Sequence, residues 1–119
     1  MAINADFRGR VAEATVELYR IVKPGTAAGS CIKAAAATDK LLGTSDELDH
    51  VTGEIVDIAV GPVPKVRLGG TVVVGDWLTS DASGKAIATT TTGNRVIGYA
   101  EQAGVADDIV TYHRAPCQL

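Results

Sequence analysis

Asp46, Glu47, Asp49, His50 and Glu54 are the densest set of chemistry-bearing side chains in this chain. Their oxygens suit a hard cation such as Ca²⁺, but the ligand order of a calcium loop is absent, so a solvated acidic loop is the expectation. Asp49 and His50 are adjacent, a placement that does not orient a catalytic dyad. Ser80 and Ser83 flank Asp81, where these residue types are expected for turn hydrogen bonds. No Gly-x-Ser-x-Gly elbow leads into a helix. His113 falls in an alternating apolar stretch and reads as a facing or exposed histidine rather than a base. Cys31 and Cys117 lack the paired spacing of a metal site and are expected as two reduced thiols, with a disulfide as the alternative. Trp77, the sole tryptophan, is expected to anchor the core. The sequence shows no nucleophile–base pair, metal set or cofactor motif, so the expectation is a protein without catalysis, metal or cofactor.

The elements that must position these residues are strands. Residues 69–114 parse as four short β-strands separated by turn residues. A β-branched run at 71–74 precedes Gly75-Asp76 and Trp77-Leu78-Thr79. Asp81-Ala82-Ser83-Gly84 is a turn cluster, after which 85–88 returns as a strand. Residues 94–100 and 108–114 alternate in side-chain type, as strands with two different faces do. Strands this short and this regularly punctuated predict a small barrel or sandwich.

Upstream, residues 11–23 carry both helical and strand signals, and Pro24-Gly25 stops either. A strand from about Thr15 is expected. AAAATDKLLG at 34–43 lines up with TTTTGNRVIG at 89–98, and each leads through a loop to an acidic residue and a β-run, at 54–58 and 108–112. Two related β-units packed as one barrel follow from that match. Gly61-Pro62-Val63-Pro64 is expected at an edge or bend, because proline removes a ladder donor. Residues 65–68 read as a short strand and 115–119 as a tail.

The fold class predicted is all-β: a small antiparallel β-barrel or sandwich of two related β-units with an extended N-terminal arm. The arm is placed at 1–14 and a single β-rich domain at 15–119. With 119 residues, 46% of them apolar, the chain can bury a core without disulfides or metal. A net charge of −3 with no basic stripe argues against nucleic-acid binding. No apolar run approaches a membrane span and no signal-peptide pattern opens the chain, so a soluble product of a cytoplasm is expected.

Val74-Gly75-Asp76-Trp77-Leu78-Thr79, Gly84-Lys85-Ala86, the Thr-rich loop 89–93 and Val96-Ile97-Gly98-Tyr99-Ala100 occur in an order that resembles the capsid decoration, or cement, proteins of tailed bacteriophages. In that group a Gly-Asp turn, an Asp-x-x-Gly-Lys hairpin, a Thr/Ala-rich loop and a hydrophobic Ile-Gly-x-Ala strand recur. The resemblance spans Tyr19 to Arg114. It implies a structural virion protein, made in the host cytoplasm, that binds the outside of the assembled head. It also implies contact with the major capsid protein, often as a homotrimer at local three-fold positions; charge and the lack of a long apolar run leave nucleic acid and membrane out of the expected partners. Ile3, Phe7, Arg8 and Arg10 are the expected capsid-binding residues, two apolar anchors and two cations on an arm too polar to fold alone. The alternatives are a small binding module, for host-surface carbohydrate for instance, which needs an exposed aromatic platform, and an enzyme of β-clip type, which needs convergent polar groups in a pocket.

Overall fold

The computed structural model describes residues 7–61 and 63–119, with Phe7 and Arg8 described by their backbone. Ten strands follow one another: β1 (Phe7–Ala12), β2 (Ile21–Pro24), β3 (Ser30–Lys33), β4 (Gly43–Thr44), β5 (Ile55–Ala59), β6 (Lys65–Arg67), β7 (Trp77–Ser80), β8 (Ala86–Ala88), β9 (Arg95–Ala100) and β10 (Ile109–Gln118). No helix occurs among the described residues. β1 to β5 close a barrel in the order β1-β3-β2-β4-β5. β6 to β10 form a second five-stranded sheet in the order β6-β10-β9-β7-β8. Its two edge strands meet through one parallel bridge, Leu68 to Ala86.

The two halves repeat each other strand for strand. Val22 pairs with Gly43 as Leu78 pairs with Gly98, and Thr44 faces Ala59 as Tyr99 faces His113. The parallel contact Ala12 to Cys31 has its twin in Leu68 to Ala86. Left-handed backbone recurs at matched places, Tyr19 (φ 52°) with Gly75 (φ 91°) and Gly53 (φ 93°) with Asp107 (φ 72°). Core positions recur too. The first barrel is filled by Ala12, Val16, Val22, Val56 and Ile58. Their counterparts Leu68, Val72, Leu78, Val110 and Tyr112 fill the second. Larger side chains therefore occupy the second half, and Tyr112 stands where the first half has Ile58.

The halves share a core. Val22 points into the first barrel, while its neighbour Ile21 joins the core of the second, as do Ala34 and Leu41. Ile21 N–H donates to Gly84 O at 2.6 Å and Arg67 N–H to Tyr19 O at 2.9 Å. Arg95 N–H and the Thr79 hydroxyl both donate to Ala37 O, at 2.8 and 3.2 Å. Thr44 and Tyr112 share a buried hydroxyl–hydroxyl bond of 3.3 Å. Buried backbone groups at this seam are thus paired rather than stranded.

Several expectations are corrected. The two units build two barrel-like sheets rather than one. Part of the segment expected as an arm, 1–14, is strand β1, which pairs antiparallel with β5 and parallel with β3; residues 1–6 lie outside the described residues. The strand expected from Thr15 begins only at Ile21, as β2; residues 15–20 are a loop with a single bridge, Val16 to His50. The β-branched run 71–74 is likewise a loop with a single bridge at Val72, because Val73 N–H is taken by the carboxylate of Asp76, three residues on, at 3.0 Å. Residues 115–118, expected as tail, continue β10 beyond a register shift between Arg114 and Cys117, where Pro116 sits. Trp77 is not a core anchor: it keeps 37% of its surface exposed on the outer face of β7.

Candidate functional site

The acidic loop is held by its own hydrogen bonds. Asp46 Oδ1 accepts from Leu48 N–H at 3.0 Å, and Asp46 Oδ2 from Asp57 N–H at 3.3 Å. His50 Nε2 lies 2.8 Å from Asp46 Oδ1, and its Nδ1 lies 3.7 Å from Glu54 Oε1. Glu54 accepts from Val51 N–H, and Asp49 from Leu18 N–H. Asp46, Asp49 and Glu54 thus shape the loop and pin His50. Among the described residues no group of three or more His, Cys, Asp or Glu is placed to hold a metal ion.

Asp81 closes its turn by accepting Ser83 N–H and Lys85 N–H on one oxygen, at 2.8 and 2.9 Å. Cys31 is buried and Cys117 exposed, and both are free thiols. Burial pushes the Cys31 thiol pKa up, away from the reactive thiolate.

The four expected capsid-binding residues are not brought together on one free arm. Ile3 lies outside the described residues. Phe7 and Arg8 pair with Ala59 and Ile58 in the barrel. Arg10 is half-buried, and its guanidinium donates to Ser30 O at 3.2 Å. Arg10 occupies the strand position that Val66 holds in the second half.

Two surface features were not foreseen. One is a groove of about 490 Å³ at the seam of the halves, lined by Tyr19, Leu48, Asp57, Val63, Pro64 and Lys65 among others. Leu48 and Val63 are 62% and 50% exposed there. An isolated leucine in an acidic loop was its sole sequence signal. The other is an aromatic row on the outer face of the second sheet. Cross-strand register sets Trp77 opposite Tyr99, and Tyr99 opposite His113. Trp77 and Tyr99 meet edge to face at 6.0 Å, and Tyr99 stacks on His113 at 5.0 Å. Such contacts favour these rings packing together across a strand face. His113 Nδ1 also lies 3.6 Å from Glu101 Oε1. The alignment of 34–43 with 89–98 was the available signal: extended into the neighbouring strands, it pairs Trp77 with Ile21 and Tyr99 with Thr44.

The groove and the aromatic row are the two surface features that these residues build. The family model for phage cement protein matches residues 11–114. Among solved structures, the crystal structure of the head fiber gp8.5 N base in bacteriophage phi29 superimposes with a TM-score of 0.71 at 22% sequence identity, covering 95% of this chain and 96% of that one. That likeness establishes the shared fold. No curated protein matches the sequence.

Proposed function

The chain belongs to the phage cement protein family and is a capsid-associated structural protein, and we propose that it binds the outside of the assembled phage head and stabilises the major capsid protein lattice there. The observation that carries this reading is the family match, which spans both barrel-like sheets. The protein acts as a homotrimer on the head and catalyses no reaction. Many modest contacts repeated over a symmetric lattice add up through effective concentration, so no single contact need be strong. Ile3, Phe7, Arg8 and Arg10 contribute contacts that hold it on the lattice. The position of Phe7 and Arg8 at the start of β1, paired with Ala59 and Ile58, supports a contact surface at this edge of the barrel.

The reading is tested by mixing purified protein with assembled heads and, separately, with unassembled capsid subunits. Saturable co-sedimentation with heads and none with free subunits is expected. Equal binding to both, or binding to neither, contradicts it. A truncation lacking residues 1–6 tests the contact residues: attachment weakens while the circular dichroism spectrum stays the same. Unchanged attachment removes Ile3 from the proposal.

A further inference from the structure

The repeat makes one face of the molecule incomplete. In the first half, Ile21 on β2 and Thr44 on β4 point outward, away from that half's own barrel. Both are fully buried, because the second half covers them. Ile21 enters the second core and Thr44 meets the Tyr112 hydroxyl. Their counterparts in the second half are Trp77 and Tyr99, continued by His113, and among the described residues no matching half of the molecule covers them. Trp77 is 37% exposed and the His113 side chain 44%.

The covering surface has a matching vacancy. The second half covers Ile21 with its Ser83-Gly84 turn. Ile21 N–H donates to Gly84 O, and Arg20 donates to Ser83 O at 2.9 Å. A Cβ placed on Gly84 would meet Ile21 O at 2.9 Å and Lys33 Cβ at 3.5 Å. The equivalent turn of the first half is Ala28-Gly29, with the same left-handed φ of 75° at each glycine. A Cβ on Gly29 would meet nothing within 4 Å. Val11, beside this turn in β1, is 40% exposed. The chain therefore uses one pair of complementary faces internally and leaves the other member of each pair open at its two ends.

We infer that the row Trp77, Tyr99 and His113 is the docking face for the first half of a second copy of this chain, seated by its Ala28-Gly29 turn. The contact continues an interface the molecule already contains, which is why a second copy is the occupant the structure favours. The substitution of Ile21 by Trp77 suits a contact between chains, since exposed tryptophans supply large contact area at low entropic cost. The association is head to tail, so the two surfaces differ, and such contacts close into a ring or run on as a filament. This inference supplies the contact for the self-association in the reading above, but it does not depend on capsid binding.

The test uses the full chain, free of heads, with Cys117→Ser removing the exposed thiol. Ala88 is the counterpart of Lys33, whose Cβ lies beside Gly84. Ala88→Cys and Ala28→Cys variants are prepared separately, mixed at high concentration and treated with a short bismaleimide. A covalent dimer is expected in the mixture and not in either variant alone. Adding Trp77→Ala weakens the association by about tenfold or more. Val11→Glu on the opposite face does the same, so the result does not rest on one variant's folding, which circular dichroism checks. Self-cross-linking of either variant as strong as the mixed product means a symmetric pair and overturns the inference. No cross-link at any concentration overturns it too. Loss of head attachment on Trp77→Ala with an unchanged cross-link assigns the row to the capsid instead. Because no heads are present in the cross-linking arm, its failure leaves the capsid reading standing.

Discussion

Tyr112 fills the second barrel from β10, fully buried, with its hydroxyl bonded to Thr44 at 3.3 Å. Burial pushes its phenol pKa up to about 12. Tyr112→Phe keeps the ring but strands the Thr44 hydroxyl, so urea denaturation shows a loss of about 1 kcal/mol. Tyr112→Ala empties the site and costs about 3–5 kcal/mol. Equal midpoints for Tyr112→Ala and the natural protein would mean the ring is not core. Glu13 organises the loop after β2, accepting from Ala27 N–H, Thr26 N–H and the Ser30 hydroxyl at 2.8–2.9 Å. The Ala27 and Thr26 backbone donors lead in lowering its pKa from 4.5 to about 2. The folded value lies below the unfolded one, so the ionised carboxylate stabilises the fold above about pH 4.5, and that contribution is lost as pH falls through about 2. Glu13→Gln therefore lowers the melting temperature at neutral pH, and the gap from the natural protein narrows near pH 2. A gap that widens on acidification would contradict the assignment. Trp77 shows what residue type leaves open. Alternation assigns it to a face of β7 with Tyr99, but the cover over that face depends on the other half of the molecule. Because it is partly exposed, Trp77→Ala lowers monomer stability by about 1 kcal/mol rather than the 3–5 of a buried ring. A thermal melt on dilute protein separates the two.

At the scale of elements, turn chemistry was legible and coverage was not. Pro24 ends β2, the Asp81–Gly84 turn joins β7 to β8, and the alternation at 95–100 is β9, all at or within a residue or two of where the sequence puts them. β1 was hidden because Arg10 holds the core-side position that Val66 holds in β6, which breaks the apolar alternation that marks a strand. The repeat was legible at 34–43 with 89–98 and at 54–58 with 108–112, but not at β1 with β6, where Ala12 and Leu68 fill equivalent sites with unlike volumes. The glycines of that short match have a shared cause. Gly43 lies so close to β5 that a Cβ would meet Ala59 O at 2.6 Å, and Gly98 crowds His113 O, its equivalent on β10. Here close backbone approach, rather than a turn, demands glycine. Gly98→Ala forces β9 from β10 and destabilises by about 1–3 kcal/mol or more. Gly43→Ala does the same to the first barrel. Chemical denaturation in which either variant matches the natural protein would show that the strands can separate without loss.

The whole molecule is two copies of one five-stranded design sharing a core. Asp46, Asp49, Glu54 and Asp81 are occupied in shaping loops, and the exposed features are the seam groove, the aromatic row and the Ala28-Gly29 turn. The acidic loop looked like the place for chemistry because carboxylates and a histidine are close in sequence. In space, Asp46 and Glu54 bracket His50 while Asp49 turns to Leu18, so no shared ligand point forms. The proposed binding to the capsid lattice is tested most directly by a saturation titration of assembled heads with purified protein, read by co-sedimentation. A fixed number of copies per head, set by the lattice symmetry, is expected, with no uptake by unassembled capsid subunits. Protein that stays in the supernatant at every concentration, or that binds without saturating, would contradict it.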